Sequence, residues 1–259
     1  MRMMKKVLGT VTVLALSVSL LAGCGSTAVS PVSSTASTAA ESTTSSVVSE
    51  TTSAAADENA AAAAQLLNDL TGSYQELWPV ILADEYQQTW LDDCTALVGE
   101  ENAEAAFEKL SSMVTGDVYG EDAVEAYANG GGAYFCGFTN DLATLTFDGE
   151  TSTISGTDKD GNVLFSHTYH YIGMEPVRGL YEFQSDDADS GEFTYFFLAP
   201  DTSAETYHIE FRYGSDAETL SQYDAGEYAY WVASGISTDC DQTMIDNCIE
   251  LFCTENLAG

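Results

Sequence analysis

The sequence predicts an α+β protein, an antiparallel β-barrel or strongly curved sheet with helices before it and a helical extension after it. Three observations lead there. Apolar residues between positions 58 and 128 recur at helical spacing, the period drops to alternation from Leu142 onward, and Asp-Gly turns divide that second part into short β-prone runs. A length of 259 residues fits one large domain or two small ones.

The chain opens with a basic head, Arg2 to Lys6, an apolar run, Val7 to Leu21, and then Leu21-Ala22-Gly23-Cys24. The run is too short for a comfortable membrane span and has the layout of an export signal. Its ending resembles the bacterial lipobox, in which the cysteine is acylated (palmitate being a typical chain) and becomes the first residue of a lipoprotein. Residues 1–23 are therefore expected to be a lipoprotein signal peptide and Cys24 a lipid attachment site. Residues 24–57 are almost wholly Ser, Thr, Ala, Val and Glu, with no aromatic side chain. Such a stretch cannot bury enough apolar surface to offset the entropy of ordering, so it is expected to be a disordered tether. The folded domain is placed at 58–259, at the cell membrane and facing outside or the periplasm.

Within that domain, residues 58–70 are strong helix formers that stop at Thr71-Gly72-Ser73. Tyr74, Leu77, Trp78 and Ile81 form an aromatic-rich stretch expected to pack on the domain body. Helical spacing follows in Ala103, Ala106, Phe107 and Leu110, and again in Val124 and Tyr127 before Gly130-Gly131-Gly132. Strands are predicted at Leu142 to Phe147, Thr151 to Ser155, Val163 to Tyr171, Gly179 to Gln184, Glu192 to Leu198 and Tyr207 to Tyr213. A short helix near Asp216 to Gln222, an aromatic segment around Tyr228 to Trp231 and a helix carrying Cys248 and Cys253 complete the chain.

Charge narrows the function. There are 41 acidic and 7 basic side chains, for a net charge of −34. Loss of Arg2, Lys5 and Lys6 with the signal brings this to about −37. Such a surface repels phosphate backbones, which excludes nucleic acid as a partner, and it favours cations. Solubility at a crowded or salty cell surface accounts for the same charge. No nucleotide fingerprint, phosphate loop, G-x-S-x-G elbow or H-E-x-x-H helix occurs, so no enzyme activity is expected.

With Cys24 assigned to lipid, Cys94, Cys136, Cys240, Cys248 and Cys253 remain, an odd set that leaves at least one free thiol. No C-x-x-C spacing suggests a metal knuckle or redox pair, so the cysteines read as structural. Cys248 and Cys253 point in different directions on a helix, and a disulfide from Cys94 to one of them would staple the N-terminal helices to the C-terminal one.

Three histidines carry the remaining chemistry. His208 and Glu210 alternate on one strand and so share a face, where an imidazole and a carboxylate can hold zinc or a similar divalent ion. A solvated strand face would carry the same pair. His167 and His170 are three apart and fall on opposite faces of a regular strand. His170, between Tyr169 and Tyr171, reads first as a hydrogen-bonded side chain, with Glu175 and Glu182 as neighbours across hairpins.

The run His208-Ile209-Glu210-Phe211-Arg212-Tyr213-Gly214 resembles the H-x-H-F-R-Y-G signature of the ZinT (YodA) family of exported zinc-binding proteins. Further landmarks agree over roughly residues 68 to 225: Gly72 to Gln75 with Trp78 to Asp84, Val124 to Tyr127, Leu180 to Phe183 and Leu198-Ala199-Pro200. The resemblance implies a lipocalin-like, calycin-type barrel with zinc held by three histidines. Carried over, His208 keeps the first ligand, Glu210 replaces the second with a carboxylate, and Phe196 stands at the third, where it cannot coordinate. His170, Glu205 or Glu182 is left to fill that gap, and His170 is taken as the candidate third ligand. The family's histidine-rich loop is absent.

The reading is a surface-anchored lipoprotein that binds zinc or a similar divalent metal at a barrel-mouth site formed by His208, Glu210 and His170. It would capture the metal or deliver it to a membrane metal transporter. The alternatives are a calycin-like module for a small organic ligand, with Phe196 and the tyrosines lining a cavity, and an acidic protein-interaction module with a packed interior.

Overall fold

The computed structural model describes residues 58–258, so the expected signal peptide, the tether and Cys24 lie outside the described residues. Eight antiparallel strands close into a barrel in plain sequence order. They are β1 (Gly72–Glu76), β2 (Thr144–Asp148), β3 (Thr153–Thr157), β4 (Val163–Met174), β5 (Tyr181–Ser185), β6 (Tyr195–Leu198), β7 (Ile209–Gly214) and β8 (Ala233–Ser237). The helices are α1 (58–69), α2 (Leu77–Ile81), α3 (Gln87–Val98), α4 (Glu100–Met113), α5 (Glu121–Ala128), α6 (Ser203–Thr206), α7 (Ala217–Leu220) and α8 (Gln242–Leu257). The predicted α+β antiparallel barrel with helices at both ends is the fold observed. Among the described residues, no helix is long and apolar enough to cross a membrane.

Six of the eight strands fall where alternation and Asp-Gly turns predict them. The two that do not, β1 and β8, are the pair that closes the barrel, with Tyr74 opposite Ser237 and Glu76 opposite Gly235. In β8, Ala233 to Ile236 are buried on both faces, so Ala-Ser-Gly-Ile shows no alternation to read. β1 is short and runs straight into α2, whose apolar residues dominate the local pattern. Predicted strand starts also moved. Gly191–Phe193 is a turn of 3₁₀-helix ahead of β6, and Tyr207 is left-handed at φ 66°, so β7 begins only at Ile209.

Two apolar cores result, one on each side of the sheet. Inside the barrel, rings from strands that are not neighbours meet: Phe196 of β6 lies 5.9 Å from Phe165 and 5.4 Å from Tyr169 of β4. Phe196 also packs on Phe211 and Tyr213 of β7, and Tyr213 meets Trp231 edge to face at 5.0 Å. This places Ile209, Phe211 and Tyr213 inward and leaves Glu210 and Arg212 facing outward. Outside, Leu77, Ile81, Trp90, Leu110 and Ile249 of α2, α3, α4 and α8 cover Ile236 of β8. Buried Trp90 donates its indole N–H to the Ile81 carbonyl at 2.7 Å, which ties α3 to α2.

Gly99 joins α3 to α4 at φ 83° and ψ 155°, a conformation open in practice only to glycine. A β-carbon there would meet nothing within 4 Å, so the penalty for a side chain is backbone strain alone. Gly99→Ala is expected to cost about 1–3 kcal/mol in urea unfolding, with the fold retained. A loss below a few tenths would mean that the joint tolerates another conformation.

Candidate metal site on the outer face of the barrel

His208 lies just before β7 and its Nε2 is 3.9 Å from Oε1 of Glu210, so the two side chains predicted to share a face are brought together. Their position differs from the expected barrel mouth. They lie on the outer side of the sheet, beneath α8, whose Cys248 sulfur is 3.8 Å from His208 Nδ1. The inward residues of the same strand, Ile209 and Phe211, are buried in the barrel core.

The loop before β7 orients the imidazole. Thr202 caps α6 in a reciprocal capping box with Glu205, and the left-handed Tyr207 turns the chain back toward the strand. That turn sets the Thr206 carbonyl 2.7 Å from His208 Nδ1. In the neutral ring the proton then sits on Nδ1 and is donated to that carbonyl, leaving the Nε2 lone pair toward Glu210. The side chains are 18% and 29% exposed, so the pair is largely covered, with one edge open to solvent.

The electrostatics favour a cation here. Burial opposes the charged imidazole, but the Cys248 sulfur, the Glu210 carboxylate and the Thr206 carbonyl outweigh it and push His208 up to about 9. Burial and the neighbouring Glu205 raise the Asp201 carboxyl, with His208 pulling the other way. Glu255 of α8 is likewise raised by burial and by Glu210 and Asp201, again countered by His208. One imidazole thus sits among several carboxylates that repel one another, and a bound cation would relieve that repulsion.

His170 is not part of this group. It lies on β4, three strands around the barrel from β7, and its Nδ1 is 2.7 Å from Asp186. Both residues face outward, so barrel curvature turns them away from each other and the predicted three-residue set His208, Glu210 and His170 does not form. His167, on the opposite face of β4, pairs with Asp187 at 2.6 Å. Gln184, not Glu182, stands opposite His170. Glu175 instead accepts from the backbone N–H groups of Val177 and Arg178. Glu205 serves the α6 cap. Phe196 is fully buried in the barrel interior, on the other side of the sheet from Glu210. Among the described residues, no group of three or more His, Cys, Asp or Glu has metal-binding geometry. Sequence reasoning missed Asp201, Cys248 and Glu255 as neighbours of His208. Asp201 directly follows the Ala199-Pro200 landmark, but nothing local marks the α8 residues, which arrive only when that helix docks.

The chain is thus a closed eight-stranded antiparallel barrel that carries a mostly buried histidine–carboxylate pair under its C-terminal helix. No protein-family model matches the sequence. No curated protein matches it either. Among solved structures, the Zn(II)-bound ZinT-like domain of Streptococcus pneumoniae AdcA is similar, with TM-score 0.45 and 16% identity over 71% of this chain and 89% of that one. Zn(II)-bound AdcA from the same organism gives TM-score 0.42 and 16% identity over 70% of this chain, which spans 34% of that protein.

Proposed function

We propose that this chain is a lipid-anchored surface protein that binds a divalent metal ion, zinc by its donor chemistry, through His208 and Glu210. Capture of the metal, or its transfer to a membrane transporter from a tether anchored at Cys24, is part of that reading, and no turnover is involved. The observation that carries it is the oriented pair: an imidazole held by a backbone carbonyl on Nδ1, with Nε2 3.9 Å from a carboxylate oxygen. That separation is below the sum of a zinc–nitrogen and a zinc–oxygen bond, about 4.1 Å, so a small closing movement seats an ion between them. Two protein donors leave two tetrahedral positions for water or for an acceptor's ligands, which suits a site that must give its metal up. Metal and proton compete for Nε2, so uptake releases protons.

The barrel centre is filled ring against ring by Phe165, Phe196, Phe211, Tyr213 and Trp231, which argues against an organic ligand in the interior. The test is zinc calorimetry on the purified chain and on a variant carrying His208→Ala with Glu210→Ala. One equivalent is expected, weakened at least about 10-fold in the variant, since loss of direct ligands should exceed the usual effect of losing an outer hydrogen bond. Weak binding at several equivalents that the double substitution leaves unchanged would sink the site and leave an acidic surface that merely attracts cations.

A further inference from the structure

The five cysteines among the described residues are all free thiols in the structure, so the expected disulfide is not present there. Their environments nevertheless differ. Cys248 faces His208 on the sheet side of α8, and the Cys136 sulfur lies 3.9 Å from the Tyr134 carbonyl. Cys240 precedes α8 and is half-buried. Cys94 and Cys253 stand apart from these: their sulfurs are 3.9 Å from each other, one on α3 and one on α8, and both side chains have no exposed surface. They sit in the outer core with Trp90, Ile245 and Ile249. Five residues apart on one helix, Cys248 and Cys253 point to different neighbours, and only Cys253 points to a sulfur within 4 Å.

We propose that Cys94 and Cys253 are a disulfide pair that clamps α8 onto α3, closed by exchange with an external protein or small-molecule disulfide as the helices dock. The Cys94 thiolate attacks the external disulfide, one of whose sulfurs leaves as a thiolate. The Cys253 thiolate then attacks the Cys94 sulfur of the mixed disulfide, and the second external sulfur leaves. The pair loses two electrons and two protons, and the oxidant ends as two thiols. Burial raises both thiols above the ordinary range, and their mutual contact raises Cys253 further. Neither sulfur is reachable once α8 has docked. Closure therefore belongs to folding, and the finished bond resists reductant until α8 lifts away. The loop it closes runs from position 94 to 253 and holds every strand except β1, so the bond restrains most of the unfolded chain.

The sequence allows a direct test. The full chain is refolded with oxidised and reduced glutathione, blocked with iodoacetamide in denaturant without reduction, and cut by a protease that cleaves after Asp and Glu. Cleavage isolates Cys94 in residues 94–100, Cys253 in 251–255, Cys248 in 247–250 and Cys240 in 240–241, so each pairing gives its own mass. The expected product joins 94–100 to 251–255 and disappears on reduction. Recovery of both peptides singly alkylated, or linked instead to the Cys136, Cys240 or Cys248 peptides, would overturn the assignment. This mapping uses the unaltered chain and does not depend on any variant folding. As a second readout, reductant should lower the melting temperature of the oxidised chain by on the order of 10 °C, and have no such effect on Cys253→Ser. A cross-linked chain whose melting temperature ignores reductant would refute the clamp.

Discussion

Replacing Arg212 with leucine is expected to destabilise the protein by about 3–5 kcal/mol, measured as a shift in the urea unfolding midpoint. Arg212 is fully buried on the outer face of β7, and its partners are backbone carbonyls instead of a carboxylate. Nη1 donates to the Leu220 carbonyl, Nη2 donates to that of Tyr228, and both reach Gln222, at 3.5 and 3.4 Å. The guanidinium carbon also lies 4.4 Å from the centre of the Tyr223 ring, which meets Arg178 at 3.9 Å and whose hydroxyl donates to Glu175 at 3.4 Å. Burial lowers the Arg212 pKa to about 10, with Tyr223 acting in the opposite direction. The planar fork thus pins residues 220–228 against β7, and that segment delivers the chain to β8. Leucine leaves the two buried carbonyls of Leu220 and Tyr228 without a donor, at a cost of roughly 1–3 kcal/mol each, and removes the long contacts to the part-buried Gln222 carbonyl. Arg212→Lys keeps the charge but cannot span the three acceptors, so an intermediate loss is expected. A leucine variant within 1 kcal/mol of the parent would show that the 220–228 segment holds itself in place.

Phe196→His should be equally costly, about 3–5 kcal/mol, and should leave zinc affinity unchanged. The resemblance to the ZinT family makes this the obvious substitution for restoring a third ligand. The sheet argues against it. Phe196 pairs in register with Tyr213 and packs inside the barrel, whereas Glu210 of the neighbouring strand faces outward. An imidazole at 196 would lose ring contacts to Phe165, Tyr169 and Tyr213 and find mainly aromatic carbon around it. Thermal unfolding with calorimetric zinc titration separates the two effects. Tighter zinc binding in Phe196→His would mean that His208 reaches the interior, and the outer-face assignment would fall.

The amino-acid pattern determined the order of most elements. Short β-prone runs, with Asp-Gly turns between β2, β3 and β4, marked β2 to β7, and the spacing of Ala103, Ala106 and Leu110 marked α4, because each is a local arrangement written in a few consecutive residues. The pairing of His208 with Glu210 was equally local, since two residues apart on a strand share a face. The barrel's closure was not local. β1 and β8 lie about 160 positions apart; β1 is short and runs straight into α2, and β8 is buried on both faces, so neither strand carries a readable alternation. The side of the sheet on which the histidine–carboxylate pair lies was likewise decided by tertiary structure. Alternation says that Glu210 and Phe211 point oppositely, but only the closed barrel makes Phe211 the inward one. The same closure separates His170 from His208 by three strands of curvature, and the docking of α8 brings Cys248 to His208 and Cys253 to Cys94. Periodicity in a sequence reports which residues share a face; which face turns inward, and what covers the other, depends on contacts between residues far apart in the chain, which local patterns do not encode.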